Sequence, residues 1–252
     1  MVHRGRSGHI GSMLSMADIL SVLYTRILRT SATAPRMADR DRFILSKGHG
    51  GAALFAVLAE QGFFPLEWLD TYYQDGGKLC GHISHHVPGV EFSTGSLGHG
   101  LPVACGMAMA AKRRGAAHRI FCLVSDGDCN EGSTWETIML AAQHHWDNLV
   151  MLIDYNRLQA LGSSDEIIDL CSLPVKLEAF GWAAREADGH DYGAIEEALS
   201  DLPAVAGRPT AVIFDTIKGK GVSFMENQYQ WHYGGLTDEL LAQALQEVET
   251  AK

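Results

Sequence analysis

The chain has 252 residues, 46% hydrophobic and 20% charged, the composition of a globular protein long enough for one large α/β domain or two modest ones. Twenty Lys and Arg against thirty Asp and Glu give a net charge of −10, which argues against a nucleic-acid groove built on general positive charge. Apolar runs such as Leu149–Ile153 are far too short to span a membrane, no signal peptide follows Met1, and five cysteines without a CxxC pair suit a reduced, cytoplasmic protein.

In chain order, Met13, Leu14, Ala17, Leu20, Leu23, Tyr24 and Leu28 recur at helical spacing and predict a helix over Ser12–Arg29. Thr30–Asp41, with Pro35, reads as a loop and Arg42–Leu45 as a short strand. Gly50–Gln61 is rich in Ala and Leu and reads as a helix. Asp75–Ser96 is rich in glycine and histidine, has no period and reads as a long functional loop. A helix crowded with Ala and Gly is predicted over Gly98–Arg114, suited to close packing against another protomer. Alternation then sets in: strand Ile120–Ser125, helix Glu131–His145, strand Leu149–Tyr155, helix Leu173–Phe180, strand Ala183–Ala187, helix Tyr192–Ser200, strand Thr210–Ile217 and an amphipathic helix Thr237–Val248. Strands separated by helices predict parallel βαβ crossovers, hence an α/β fold: a doubly wound, mostly parallel sheet with helices on both faces. Ligands of such sheets bind beyond the carboxyl ends of the strands.

Two strand ends carry the strongest signal. Ser125-Asp126-Gly127-Asp128-Cys129-Asn130-Glu131-Gly132 follows one apolar strand, and Asp154-Tyr155-Asn156-Arg157-Leu158 closes the next. Alone, Asp126-Gly127 is an ordinary turn and Asn156 a strand-end cap. Their thirty-residue separation fits a strand–helix–strand unit that returns beside its start, and so brings two hard oxygen ligands together. That suits Mg²⁺, which takes few protein ligands and leaves positions for phosphate oxygens. Gly127 allows close backbone approach to an anion, and the following helix N-terminus favours negative charge. Twelve histidines against nine Phe and seven Tyr is a high count for this length. Cys80, His82, His85 and His86 are a weaker candidate for zinc, because they crowd into seven residues instead of the usual two-plus-two spacing. A nicotinamide-binding domain is disfavoured, because no G-x-G-x-x-G opens a helix after a first strand.

The Asp-Gly…Asn pattern resembles the diphosphate–Mg²⁺ motif of thiamine-diphosphate enzymes. The chain as a whole resembles the N-terminal, diphosphate-binding domain of transketolases. The resemblance runs through Arg6-Ser7-Gly8-His9, Ser46-Lys47-Gly48-His49-Gly50, Pro88-Gly89-Val90-Glu91, Ser93-Thr94-Gly95-Ser96-Leu97-Gly98, Gly127 to Gly132, Lys218-Gly219-Lys220-Gly221 and Trp231-His232. It implies one thiamine-diphosphate-binding domain over residues 1–252. Asp126 and Asn156, with the Leu158 carbonyl, are implied as ligands of Mg²⁺ (or Ca²⁺ or Mn²⁺). His49, His232 and the Gly127 backbone are implied at the diphosphate, with Gly95 and Leu97 at the aminopyrimidine. His9, His49, His82 and His232 would line the substrate channel, and Leu158–Gly162 would wall the thiazolium. Glu131 would lie at the interface that links two active sites.

The implied reaction is transfer of a two-carbon ketol unit from a ketose or ketose phosphate to an aldose. It needs proton transfers that histidines perform near neutral pH and a carbanion equivalent that a thiazolium provides. Ser125 replaces the first glycine of the family's Gly-Asp-Gly, and His99 stands where the family often carries Gln. Full-length transketolases carry two further domains, and the middle one supplies the glutamate that activates the aminopyrimidine. The expectation is therefore an N-terminal subunit of a split transketolase. It would depend on a separately encoded pyrimidine-binding subunit in an α₂β₂ assembly, with the Gly98–Arg114 helix and the helix after Glu131 as interface elements. The alternatives are a component of a 2-oxoacid dehydrogenase or a 1-deoxyxylulose-phosphate synthase, or a non-catalytic module that keeps the cofactor fold. The four channel histidines favour sugar ketol chemistry.

Overall fold

The structure is a computed structural model that describes residues 1–250. Five strands form one sheet: β1 (Arg42–Leu45), β2 (Ile120–Ser125), β3 (Leu149–Tyr155), β4 (Ala183–Asp188) and β5 (Thr210–Asp215). Their order is β1-β2-β3-β5-β4 and every pairing is parallel, so all carboxyl ends open on one side. The helices are α1 (Val2–Gly5), α2 (Ile10–Ser15), α3 (Ala17–Val22), α4 (Gly51–Glu60), α5 (Gly100–Arg113), α6 (Gly132–Gln143), α7 (Ser164–Ile168), α8 (Leu173–Ala179), α9 (Tyr192–Ser200) and α10 (Asp238–Thr250).

The period of two along the strands divides the core between the two faces. Phe121, Leu123, Val150, Leu152, Val212 and Phe214 pack with residues of α3, α4 and α9. Their neighbours Ile120, Cys122, Val124, Met151 and Ile153 pack on the opposite face with residues of α5, α6 and α8. A strand covered on both sides reads as a nearly continuous apolar run, and every residue of β2 is buried, with Ser125 at its carboxyl end the one polar side chain. The edge strand β4 is only partly covered and carries Arg185, Glu186 and Asp188, which discourages further strand pairing.

The parallel α/β architecture with helices on both faces is as expected from the alternating pattern. Asp75–Ser96 contains no helix or strand, also as expected. The predicted Ser12–Arg29 helix is broken. Met16 leaves helical geometry (φ −107°, ψ 2°), and a wide, π-type turn over Leu23–Ile27 ends the segment. The break lies where the Ser15 hydroxyl contacts both the Ser12 carbonyl (3.1 Å) and the buried Asp154 carboxylate (2.6 Å). The helix predicted from Glu131 starts one residue later, because Glu131 has extended geometry and serves as its N-cap. The short helices α1 and α7 carry too few residues to show a period. No helix among the described residues is long and apolar enough to cross a membrane.

Candidate active site

The register of β2 and β3 places Ser125 beside Asp154, so the residues that follow each strand emerge together. A cleft of about 160 Å³ opens there, lined by His49, Leu97, Asp126, Gly127, Asn156, Leu158, His232 and, from outside the expected set, Lys47 and Lys218. Asp126 is 2% exposed. Its carboxylate accepts the Ser164 hydroxyl at 2.6 Å and the Gly127 amide at 2.9 Å. Burial is the largest influence on it and, with the nearby Asp154 charge, raises its pKa against those hydrogen bonds. A divalent cation would relieve that cost.

Asn156 is held by two contacts, donating to Asp154 at 3.4 Å and accepting the Leu158 amide at 3.1 Å. The Leu158 carbonyl accepts the Lys218 ammonium at 2.9 Å, and Lys218 also meets His232 Nδ1 at 3.1 Å. Burial, then the nearby Lys47 charge, brings Lys218 down to about 8. Lys47 is ion-paired with Asp154, which also accepts from Thr216. Burial disfavours the Asp154 charge, but Lys47 and the hydroxyls of Ser15 and Thr216 outweigh it and hold the carboxyl below its ordinary range.

The histidines converge from four separate segments. His9 lies 5.0 Å from His49, 6.0 Å from His82 and 5.3 Å from His232, measured between ring centroids, and His49 lies 5.5 Å from His232. Burial is the first cause, and neighbouring positive charge the second, that lowers His9 to about 4 and His232 to about 3; His49 is also well below its usual value. These three rings are therefore neutral at pH 7, and each offers one ring nitrogen as hydrogen-bond donor and the other as acceptor. Gly95 lies against the His82 ring, with space for a methyl group 3.4 Å from it.

Not every expected residue joins the cleft. Glu131 is exposed at the head of α6, packed against Gly98. Leu161, expected in the thiazolium wall, is 89% exposed, whereas Gln159 and Ala160 line the cleft. His85 turns to Ser93 (2.8 Å) and packs on His86 (ring centroids 4.2 Å apart), whereas His82 faces His9, so Cys80, His82, His85 and His86 do not converge as one metal site. No cluster of three His, Cys, Asp or Glu suited to a metal occurs among the described residues; the Asp126–Asn156–Leu158 set is of another kind, one carboxylate with an amide and a carbonyl.

Ser125 fits its place. Its hydroxyl donates to Asp128 Oδ2 at 3.0 Å, and its amide meets the same oxygen at 2.8 Å. Asp128, fully buried, also accepts from the Ser46 hydroxyl at 2.6 Å and the Gly98 amide at 2.8 Å. One carboxylate thus ties the ends of β1 and β2 to the Leu97–Gly98 loop. Asp128 had no expected role, although it lies within the strongest motif.

Residues 1–249 match the family described as "Transketolase, thiamine diphosphate binding domain". The chain belongs to this transketolase family. It is 41% identical to one of the subunits of the apulose-4-phosphate transketolase of Actinobacillus succinogenes, over 96% of this chain and 88% of that protein. It is 39% identical to a 6-deoxy-6-sulfo-D-fructose transketolase subunit of Clostridium sp., with the same shares covered. Among solved structures, the transketolase of Campylobacter jejuni superposes with a TM-score of 0.91 at 32% identity, over 98% of this chain and 40% of that one. The Leishmania mexicana transketolase gives 0.90 at 31%, over 98% and 39%. The chain thus spans about two fifths of those transketolase chains but matches the extent of the subunit relatives. The expected transketolase N-terminal subunit and its α/β fold are borne out.

Proposed function

We propose that this chain is the diphosphate-binding subunit of a two-component transketolase, a single cofactor domain that works with a separately encoded pyrimidine-binding subunit in an α₂β₂ assembly. The observation that carries the reading is the cleft itself. Asp126, a buried carboxylate, and the oxygens of Asn156 and Leu158 line it together with Lys47, Lys218, His49 and His232. One side suits a divalent cation and the other an anion, the pairing that a Mg²⁺–diphosphate group requires.

Asp126, Asn156 and the Leu158 carbonyl would hold the metal; Lys218, His49, His232 and the Gly127 backbone would meet the diphosphate. Gly95 and Leu97 would face the aminopyrimidine. Bound thiamine diphosphate supplies the carbanion equivalent that a ketol transfer needs and side chains lack. The protein's part is hydrogen bonding at the sugar. His9, His49 and His232 are neutral, and with His82 they surround one space. As neutral rings they would hydrogen-bond the sugar hydroxyls and the oxygens on which charge develops.

Relatives of this length are named as individual subunits of transketolases, which favours dependence on a partner. Exposed Met139 and Leu140 on α6, with Val175 on α8, offer apolar side chains for that assembly. A sugar or sugar phosphate is the proposed substrate and the cytoplasm the proposed compartment. Calorimetry of thiamine diphosphate binding to the reconstituted complex, with and without Mg²⁺, tests the reading. Metal-dependent binding is expected; binding indifferent to Mg²⁺, or absent, rules out the proposed site.

A further inference from the structure

Three of the four channel histidines follow glycines: Gly8-His9, Gly48-His49 and Gly81-His82. Gly48 leaves its side-chain volume to Thr94, whereas Gly8 and Gly81 each leave theirs to a tyrosine. A Cβ on Gly8 would sit 2.7 Å from the Tyr233 ring, and one on Gly81 would run into the Tyr73 ring. Tyr233 directly follows His232 and stands edge-on to His9, with ring centroids 4.8 Å apart. Tyr73 adopts a left-handed backbone (φ 57°), unfavourable for a residue with a side chain. Its amide hydrogen-bonds to the Leu79 carbonyl at 2.8 Å, which anchors it at the start of the histidine-bearing loop. The two phenols are neighbours, and each residue keeps about half or more of its surface exposed, 48% for Tyr73 and 65% for Tyr233.

The sequence therefore keeps two glycines and one unfavourable backbone conformation to set two tyrosines beside the outermost histidines. None of the cation and anion ligands of the cleft uses these rings. Their exposed faces offer what the carbon chain of a sugar binds: an aromatic surface for C–H groups and neutral hydroxyls for its hydroxyls.

We propose that Tyr233, with Tyr73, is a substrate-specificity element that holds the hydroxylated chain of the sugar, beyond its reacting carbons, against His9. This rests on reading the cleft as a ketol-transfer site. The test uses the chain reconstituted with its pyrimidine-binding partner, hydroxypyruvate as ketol donor, and two acceptor probes, D-ribose and glycolaldehyde. Glycolaldehyde has no chain beyond its reacting end. For Tyr233→Ala the KM for ribose should rise about five- to tenfold. The kcat, the KM for glycolaldehyde and the affinity for thiamine diphosphate should stay within about twofold. Tyr233→Phe, which keeps the ring, should raise the ribose KM less than threefold. An unchanged ribose KM in an active complex overturns the proposal alone. So does an equal loss for both acceptors, or a parallel loss of cofactor affinity, since either marks a merely structural role. A wild-type complex that transfers no ketol unit overturns the reading of the site and this proposal with it.

Discussion

Asp126 sits at the end of β2 with its charge opposed by burial, and its hydrogen bonds come from a hydroxyl and an amide instead of a cation. That environment suits the proposed role of Asp126 as a metal ligand. Asp126→Ala should weaken Mg²⁺-dependent binding of thiamine diphosphate by about 100-fold or more, read by calorimetry at fixed pH. Ser164→Ala removes only the hydroxyl that orients Asp126 and should cost about tenfold in the same measurement. If Ser164→Ala is silent, Asp126 is held by other means. Lys218→Met keeps Asp126 and Asn156, though it frees the Leu158 carbonyl, and should weaken cofactor binding about tenfold through the lost ammonium. Asp126 and Asn156 were legible in the sequence because their spacing matched a strand–helix–strand return. Lys47 and Lys218 were legible only as parts of motifs, because a lone lysine in sequence looks like a surface residue. Parallel strand ends buried them, leaving 1% of each exposed, and no local pattern announces that.

Among the secondary-structure elements, the strands and the later helices follow their periods closely. The first predicted helix does not, because a tertiary contact decided its geometry: Ser15 serves the Asp154 cluster at the cost of helical continuity. At the opposite end of the sheet, the loop before β1 and the entry to β2 are joined by Asp41. It is 2% exposed and bonded by Arg29 and Arg119. Burial works against its charge, but the two guanidiniums prevail and hold the carboxyl at about 2, below the ordinary 3.8. A depressed carboxylate pKa stabilises the fold above the unfolded-state value. Its contribution, about 2 kcal/mol, should be complete above roughly pH 5 and be lost as pH falls from about 4 through about 2. Urea unfolding of Asp41→Asn should show a loss of about this size at pH 7 and a shallower decline toward pH 2 than the wild type. Equal acid sensitivity of the two proteins would assign the acid transition to other carboxylates.

For the whole molecule, the net charge of −10 remains compatible with an anionic cofactor, because Asp126, Asn156, the two lysines and the neutral histidines give the cleft its own local polarity. The length takes on a different meaning beside the relatives. It matches subunit proteins and about two fifths of the Campylobacter jejuni transketolase, which is the ground for proposing a second polypeptide. The family and the convergence of His9, His49, His82 and His232 were readable from ordered motifs. The sugar was not, because no motif quoted from the sequence distinguishes one sugar from another. The most direct measurement is ketol transfer by the purified chain with Mg²⁺ and thiamine diphosphate, alone and with the pyrimidine-binding subunit. Turnover only in the mixture is the predicted result; full turnover by this chain alone would contradict the account.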